Sequence, residues 1–577
     1  MNKKWQLNDT HKQFTRDLDK IRRPEETVEA VKTRFAELDQ DILAEVIRID
    51  NGRLGIPVYF SVCGADAARL TGTKKQMGKG ATPEQAEASA VMELVERFSL
   101  YSFAGKPENF TVATFNQLKD RALPFDMIAR SVHDESDDLP TAAAIFSEIP
   151  MKWTAGYDLT AQRPVLVPFD WFFAINEFNG TSAGNCLEEA LLQGICELVE
   201  RHVSALVSRD RLRVPGIDPH SSDDPIVIEL LGKYRNNGID LYISDFTLDM
   251  GIPTVGVLAH DPATFPEKSE LVWTAGTTPN PQKALNRALT EVAQLGGDFN
   301  TGSNYVASGL PKFPLLAEAE FITRPTQIRS IHDLPDLSDG NFKVEVERCI
   351  AALTGKGLNV IAIDTAHPLL RIPALYAITP GAHFRERASA GSVGLFAAKL
   401  IVEKYPPQKA LAELLSIEKR LPGKYYISFY TGQCRLALGE PETALARFQE
   451  ALDRDPHAQD LPSIYSYMGV CHKELEQYDT ALAVLEKGAA IDPDRTDIHN
   501  LIGFCHFKKK AHKQAIAAFE KVIRLNPASA IDYANIATNY RELGDREKAI
   551  EYYRIALRID PAMDFAREQL NNLVKGD

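Results

Sequence analysis

Residues 92–100 read MELVERFSL and residues 196–204 read CELVERHVS, so the pentapeptide Glu-Leu-Val-Glu-Arg stands at 93–97 and again at 197–201. Neither copy contains proline or glycine, and both sit in stretches with helical periodicity. The first stretch, ATPEQAEASAVMELVERFSLY (81–101), opens with Thr82 as a helix N-cap and Pro83 as the first helical residue. At a helical period, Ser89, Glu93, Glu96 and Arg97 fall within an arc of roughly 100°, and Val91, Leu94, Val95 and Phe98 fall opposite. One face is expected to pack while the other presents two carboxylates and a guanidinium. In the second stretch, AGNCLEEALLQGICELVERHV (183–203), Glu189, Gln193, Glu197 and Glu200 share a broad face, with Asn185 one turn upstream. A third stretch, NPQKALNRALTEVAQLGG (280–297), places Arg287, Glu291 and Gln294 on one stripe.

Carboxylate and amide oxygens are hard ligands suited to Mg²⁺, which bridges substrate phosphates. Arginines among them can hold phosphate oxygens in pairs and offset the carboxylate charge. A single Glu-x-x-Glu-Arg is ordinarily a solvated helix face with local ion pairs. Its exact repetition, with similar polar residues upstream, weighs against that reading here. A di-iron carboxylate bundle would want Glu-x-x-His pairs, which neither copy has.

A different periodicity governs the C-terminal part. Pro456, Pro493, Pro527 and Pro561 are spaced at 37, 34 and 34 residues. Twenty-four residues before each stand Gly432, Gly469, Gly503 and Ala537; twelve before, Ala444, Ala481, Ala515 and Ala549; eight before, Phe448, Leu485, Phe519 and Tyr553. Small residues allow two antiparallel helices to approach, large ones fill the space between them, and proline ends the second helix. The pattern resembles tetratricopeptide (TPR) repeats, nearly four of them over 424–577, after a break at Pro422–Gly423. The resemblance implies an all-α solenoid whose concave surface receives a peptide or protein. A purely structural dimerisation module is the plainer alternative.

The chain has 577 residues, net charge −14, 44% hydrophobic and 25% charged residues. Length suggests two to four domains. The acidic balance argues against broad nucleic-acid or anionic-membrane binding. There is no run of 18 apolar residues and no apolar core in the N-terminal MNKKWQLNDTHKQFTRDLDK, so no membrane span and no secretory signal are expected. Seven cysteines without a Cys-x-x-Cys pair point away from disulfides and zinc and toward reducing cytoplasm. Cys434, Cys471 and Cys505, inside the repeats, are expected to be core residues. TGTKKQMGKG (71–80) is not a Walker A loop, because its glycine spacing is wrong and Gly80 follows the lysine. His202, beside Arg201, reads as a packing or supporting residue.

The three helices together resemble the YcaO family. That family carries Ser-x3-Glu-x-x-Glu-Arg, then Asn-x3-Glu with a second Glu-x-x-Glu-Arg, then Arg-x3-Glu-x-x-Gln. Here these are Ser89/Glu93/Glu96/Arg97, Asn185/Glu189/Glu197/Glu200/Arg201 and Arg287/Glu291/Gln294. Gly78-Lys79-Gly80-Ala81-Thr82 and Ser182-Ala183-Gly184-Asn185 also look like the family, and the likeness covers about 15–400. It implies an α/β domain in which helices and an antiparallel sheet enclose ATP, commonly in a dimer. By the same resemblance Glu93, Glu96, Glu197 and Glu200 bind Mg²⁺. Ser89, Arg97, Asn185, Glu189, Arg201, Arg287 and Gln294 hold the nucleotide, with Lys20 and Thr27 reaching it from the N-terminal segment.

The resemblance further implies ATP-dependent phosphorylation of a backbone amide oxygen, followed by attack of a side chain, sulfide or an amine. Azoline-forming members typically end in a proline-rich tail. This chain ends QLNNLVKGD and has no Pro-x-Pro-x-Pro, which favours a thioamide-type or related modification, served by a sulfur-delivery or modifying-enzyme partner. Two alternatives stand beside it: an ATP-binding accessory factor for ribosomal-protein methylthiolation, and a non-catalytic TPR scaffold. Thr379-Pro380-Gly381, in YAITPGAHFRERA (376–388), resembles the close of the domain in stand-alone bacterial relatives. The expected organisation is 1–400 for the ATP/Mg²⁺ domain, a linking helix over 401–423, and repeats over 424–577. Within 305–400, NVIAIDT and ALYAITP read as strands.

Overall fold

The structure, a computed structural model, describes residues 5–13, 19–266, 268–299, 313–384 and 391–575. Parts of the expected α/β segment, 305–312 and 385–390, lie outside the described residues, as do MNKK (1–4) and 14–18 of the N-terminal stretch. The described residues form two units: those within 1–134, 147–304 and 310–391 make the first, and those within 135–146 and 392–577 the second.

The first unit carries three sheets rather than one. Leu43–Arg48, Val58–Cys63 and Lys75–Lys79 form an antiparallel meander. Five strands run in the order Val272–Thr277, Thr254–His260, Asp240–Asp245, Gly216–Ile217, Ile328–Arg329, antiparallel except for the last pair. The third sheet runs Thr111–Ala113, Met151–Asp158, Ile361–Asp364, Ala374–Ile378, Thr181–Ala183, with Arg163–Pro168 beside Met151–Asp158. The segments NVIAIDT and ALYAITP do pair, antiparallel, with Ile361 opposite Ile378. Strands of two to eight residues cannot each bury a face alone. The site helices supply the cover, and the apolar core gathers around Leu191, Ile195, Leu198 and Val199 of one and Leu285, Leu289 and Val292 of another.

The first site helix runs Pro83–Ala104, and Thr82 caps it by accepting from the Gln85 N–H at 3.3 Å. Val91, Leu94, Val95 and Phe98 are buried, as their side of the helix requires. The second runs Leu187–Arg209, with the Cys186 sulfur accepting from the Glu189 N–H. The third runs Pro281–Gly296, capped by Asn280. No described helix is long and apolar enough to cross a membrane.

The second unit contains four helix pairs, beginning with Tyr425–Ala437 and Pro441–Asp453 and ending with Ala530–Glu542 and Arg546–Ile559. The small-against-large pattern is literal. A Cβ built on Gly432 would lie 2.7 Å from the Phe448 ring, on Gly469 2.4 Å from Leu485, and on Gly503 2.7 Å from the Phe519 ring. Ala537 and Tyr553 make the fourth such pair in one cluster. Cys434, Cys471 and Cys505 are buried. Residues 401–423, read as a linking helix, hold the end of Val393–Lys404 and the helix Pro407–Arg420, and both helices cluster with the repeats. So does Leu139–Phe146, a short apolar helix from far earlier in the chain, which packs on Val393–Lys404.

Overpacking decides the effect of filling a glycine gap. Replacing Gly503 with valine gains some helix propensity, well under 1 kcal/mol, but forces a branched side chain into the Phe519 ring, which costs about 1–3 kcal/mol. Gly503→Val is expected to lower the denaturation midpoint of the second unit, read by circular dichroism at 222 nm. An unchanged midpoint would show that the pair is not tightly packed.

Candidate functional site

The three helices bring their polar faces to one cavity of about 480 Å³ in the first unit. Of the thirteen residues singled out from the sequence, twelve line it. Glu200 alone does not: it is 1% exposed and stands behind the wall.

At the first helix, the Arg97 guanidinium lies 3.5 Å from Glu93 and 3.2 Å from Glu96, and it rests over the Phe178 ring at 4.0 Å. Thr181, from the strand Thr181–Ala183, donates its hydroxyl to Glu96. Burial pushes the Glu96 carboxyl up to about 8, against the pull of Arg97, and neighbouring Glu197 and Glu93 push the same way. Burial raises Glu93 as well, with Arg97 opposing.

On the second helix, Glu200 accepts from the Thr277 backbone N–H at 3.0 Å and lies 3.4 Å from Arg287 Nε and 3.9 Å from Arg201. Burial raises its carboxyl, opposed chiefly by Arg287. Arg287 donates to Gln193 at 3.0 Å, yet its Nε is buried without a hydrogen-bond partner. Glu291, one turn along the third helix from Arg287, pairs with Lys79. Burial disfavours its charge, but Lys79, Arg201 and Arg287 together hold the carboxyl below its ordinary value.

A further group of lining residues is knit together by hydrogen bonds. Thr27, on the helix Pro24–Ala36, donates to Asn185 at 3.1 Å, and Asn185 donates to Glu189 from its side chain at 3.2 Å. Lys20 Nζ is 3.8 Å from the same Glu189 oxygen, and the other oxygen of Glu189 is buried without a partner. Ser89, Glu197 and Gln294 also line the cavity. His202 lies outside the cavity: its Nδ1 accepts the His383 N–H at 3.0 Å and its ring stacks on the His383 ring. That is the packing role its position suggested.

Sequence reading did not assign roles to Lys79, Glu291, Gln193 or Thr181. Glu291 and Gln193 were visible at helical spacing. Lys79 was legible only in the alternation Gly-Lys-Gly, and Thr181 carried no signal, because its contact with Glu96 spans 85 residues.

Chemically, the donor set is hard: carboxylate oxygens flanked by guanidinium groups that present paired N–H donors. Among the described residues no three acidic, histidine or cysteine groups converge tightly enough to hold a metal ion alone. A divalent cation bound here would draw on ligand or water oxygens too, as Mg²⁺ commonly does. Carboxyls raised by burial, an unpartnered Arg287 Nε and an unpartnered Glu189 oxygen all fit a cation-bearing polyanion with a hydroxylated end.

Comparison with known proteins agrees with this chemistry. Residues 77–383 match the family model described as YcaO cyclodehydratase, ATP- and Mg²⁺-binding. Tetratricopeptide-repeat models match 407–459, 435–505, 472–540 and 533–563. An uncharacterized protein of Methanothermobacter thermautotrophicus is 28% identical over 380 residues, covering 62% of this chain and 94% of its own. The ribosomal protein S12 methylthiotransferase accessory factor YcaO of Escherichia coli K12 is 27% identical over 238 residues, 38% of this chain and 40% of that one. A solved heterocyclase in complex with substrate and cofactor superposes with a TM-score of 0.54 at 26% identity, over 66% of this chain and 54% of the heterocyclase.

The raised Glu96 carboxyl has a signed consequence. Its folded value, about 8, lies above the ordinary 4.5, so the folded chain holds the extra proton between those values. Stability from this group is present below about 4.5 and is lost as pH rises through 8. A divalent cation bound at Glu96 would expel that proton, and affinity for Mg²⁺ there would climb with pH and level off above about 8. Calorimetry in two buffers of different ionisation enthalpy reads the proton release. Glu96→Gln should abolish it and flatten the pH dependence of the melting temperature, whereas equal proton release in the variant would assign the effect elsewhere.

Proposed function

The chain belongs to the YcaO family, and on that premise we propose that its cavity binds ATP with Mg²⁺ and activates a backbone amide of a peptide or protein. Glu93, Glu96 and Glu197, on the cavity wall, would hold Mg²⁺, and Glu200, read from the sequence as a fourth ligand, would instead brace Arg287 from behind the wall. Arg97, Arg201, Arg287, Ser89 and Gln294 would face the phosphates and their surroundings, and Lys20, Thr27, Asn185 and Glu189 the nucleoside end. Bound there, ATP supplies the phosphoryl group that turns an amide oxygen into a leaving group. The chain's own work is positioning and charge neutralisation, the main requirements of phosphoryl transfer. Arg97 is already fixed by Glu93, Glu96 and the Phe178 face, so it presents its donors without a large ordering cost. Gln193 orients Arg287 in the same way. The observation that carries the reading is the meeting of three separate helices, whose motif residues span Ser89 to Gln294, on one cavity.

The repeats are proposed to recruit the substrate or a partner protein, and a sulfur nucleophile giving a thioamide is the favoured product class. A second reading, an ATP-binding accessory factor, draws support from the Escherichia coli relative named as one.

Titration calorimetry tests the site first. The intact protein is expected to bind ATP only with Mg²⁺, and Glu96→Gln or Arg287→Ala to weaken binding roughly ten- to hundred-fold, the effect of losing a charge-assisted contact. Absence of MgATP binding by the intact protein would reject the proposal. Phosphate release stimulated by a peptide substrate separates the enzyme from the accessory factor, which should bind ATP without that stimulation.

A further inference from the structure

Lys79 ends the strand Lys75–Lys79, between two glycines that cannot be replaced. A Cβ on Gly78 would lie 2.0 Å from the backbone nitrogen of Ala90 and 2.4 Å from the carbonyl oxygen of Ala86; one on Gly80 would lie 2.6 Å from the backbone nitrogen of Ala86. Backbone cannot move aside as a side-chain tip can, so the two glycines set the strand flush against the first site helix. Successive residues of a strand point to opposite faces. Positions 78 and 80 face the helix, and Lys79 is thereby driven into the cavity.

There its ammonium pairs with Glu291 of the third helix, both side chains being at most 15% exposed. It lies within Coulombic reach of Glu200 and of Glu93. It therefore stands among acidic groups of all three helices. Its situation differs from that of the arginines. Arg97 is clasped by Glu93, Glu96, Thr181 and Phe178, and Arg287 by Gln193 and Glu200. Lys79 has one hydrogen-bond acceptor among the described residues, at the end of a flexible four-carbon stem. A compact ammonium with three donors can add a second acceptor without releasing the first.

We propose that Lys79 is a phosphate ligand of the nucleotide, aimed by Gly78 and Gly80 and held ready by Glu291. The proposal rests on the nucleotide reading of the cavity. Its position among the carboxylates assigns it to the terminal phosphates rather than to the nucleoside. The lower local dielectric at a buried position makes such a contact stronger than it would be at the surface.

Calorimetry of MgATP with the intact protein, Lys79→Met and Lys79→Arg tests this. Lys79→Met should weaken MgATP binding roughly ten- to hundred-fold, and Lys79→Arg, which restores the charge, should recover most of that loss. Melting curves report whether each variant folds; if Lys79→Met does not, Lys79→Gln, which keeps a hydrogen bond to Glu291, takes its place with the same expectation. Binding by Lys79→Met within about twofold of the intact protein would overturn the proposal, and so would equal losses in the methionine and arginine variants, which would mark Lys79 as cavity shape rather than charge. If the intact protein fails to bind MgATP, the nucleotide reading itself falls, and that result is separate from either variant's.

Discussion

Everything in the first unit answers to one electrostatic constraint. Glu93, Glu96, Glu197, Glu200 and Glu291 are gathered at the junction of three helices, and the neighbouring cations are Arg97, Arg201, Arg287 and Lys79. Burying a carboxylate is expensive unless it is paired, and removing one partner of a buried pair leaves a charge that costs several kcal/mol. Burial is the main reason the Glu96 carboxyl rises to about 8, with Glu197 and Glu93 adding to it and Arg97 opposing. Such a cluster is a poor way to stabilise a fold. It makes sense as a site that binds a charged ligand.

The scaffold is arranged so that this charge can be concentrated without collapse. Each site helix buries one flank in an apolar core and turns the other to the cavity, so ligating side chains stand on rigid, fully bonded backbone. Small residues bring the elements close: the strand carrying Lys79 touches the first helix at Ala86 and Ala90. The guanidinium groups are in turn fixed by neutral partners, Gln193 under Arg287 and the Phe178 face under Arg97. Preorganised donors of this kind need little reordering when a polyanion enters.

What the sequence disclosed follows from the range of each interaction. Helical spacing is local, so Glu93, Glu96 and Arg97 could be placed on one face from the residues alone, and so could the buried flank of Val91, Leu94 and Val95. The repeat glycines opposite Phe448, Leu485 and Phe519 were legible because the pairing recurs at a fixed interval. Long-range partners were not. Glu200 and Glu96 occupy equal places in identical pentapeptides, but Glu200 turns to the Thr277 backbone while Glu96 stays on the cavity wall. No spacing rule distinguishes them, because the difference lies in which strand passes behind each helix. The division of the β-structure into three sheets was hidden for the same reason: strands this short acquire their partners from tertiary packing.

The helix Leu139–Phe146 has a temporal meaning. It buries Ala142, Ile145 and Phe146 in a unit whose next described residues begin at 392, more than 240 residues downstream. During synthesis its apolar face is made long before Val393–Lys404, the helix it packs against, exists. At roughly 5–20 residues per second that interval lasts some tens of seconds, during which this short segment must stay uncovered or be sheltered by something else. The second unit is thus not an appendage that can be added or removed at a single joint. Its first piece is laid down in the middle of the sequence that makes the first unit.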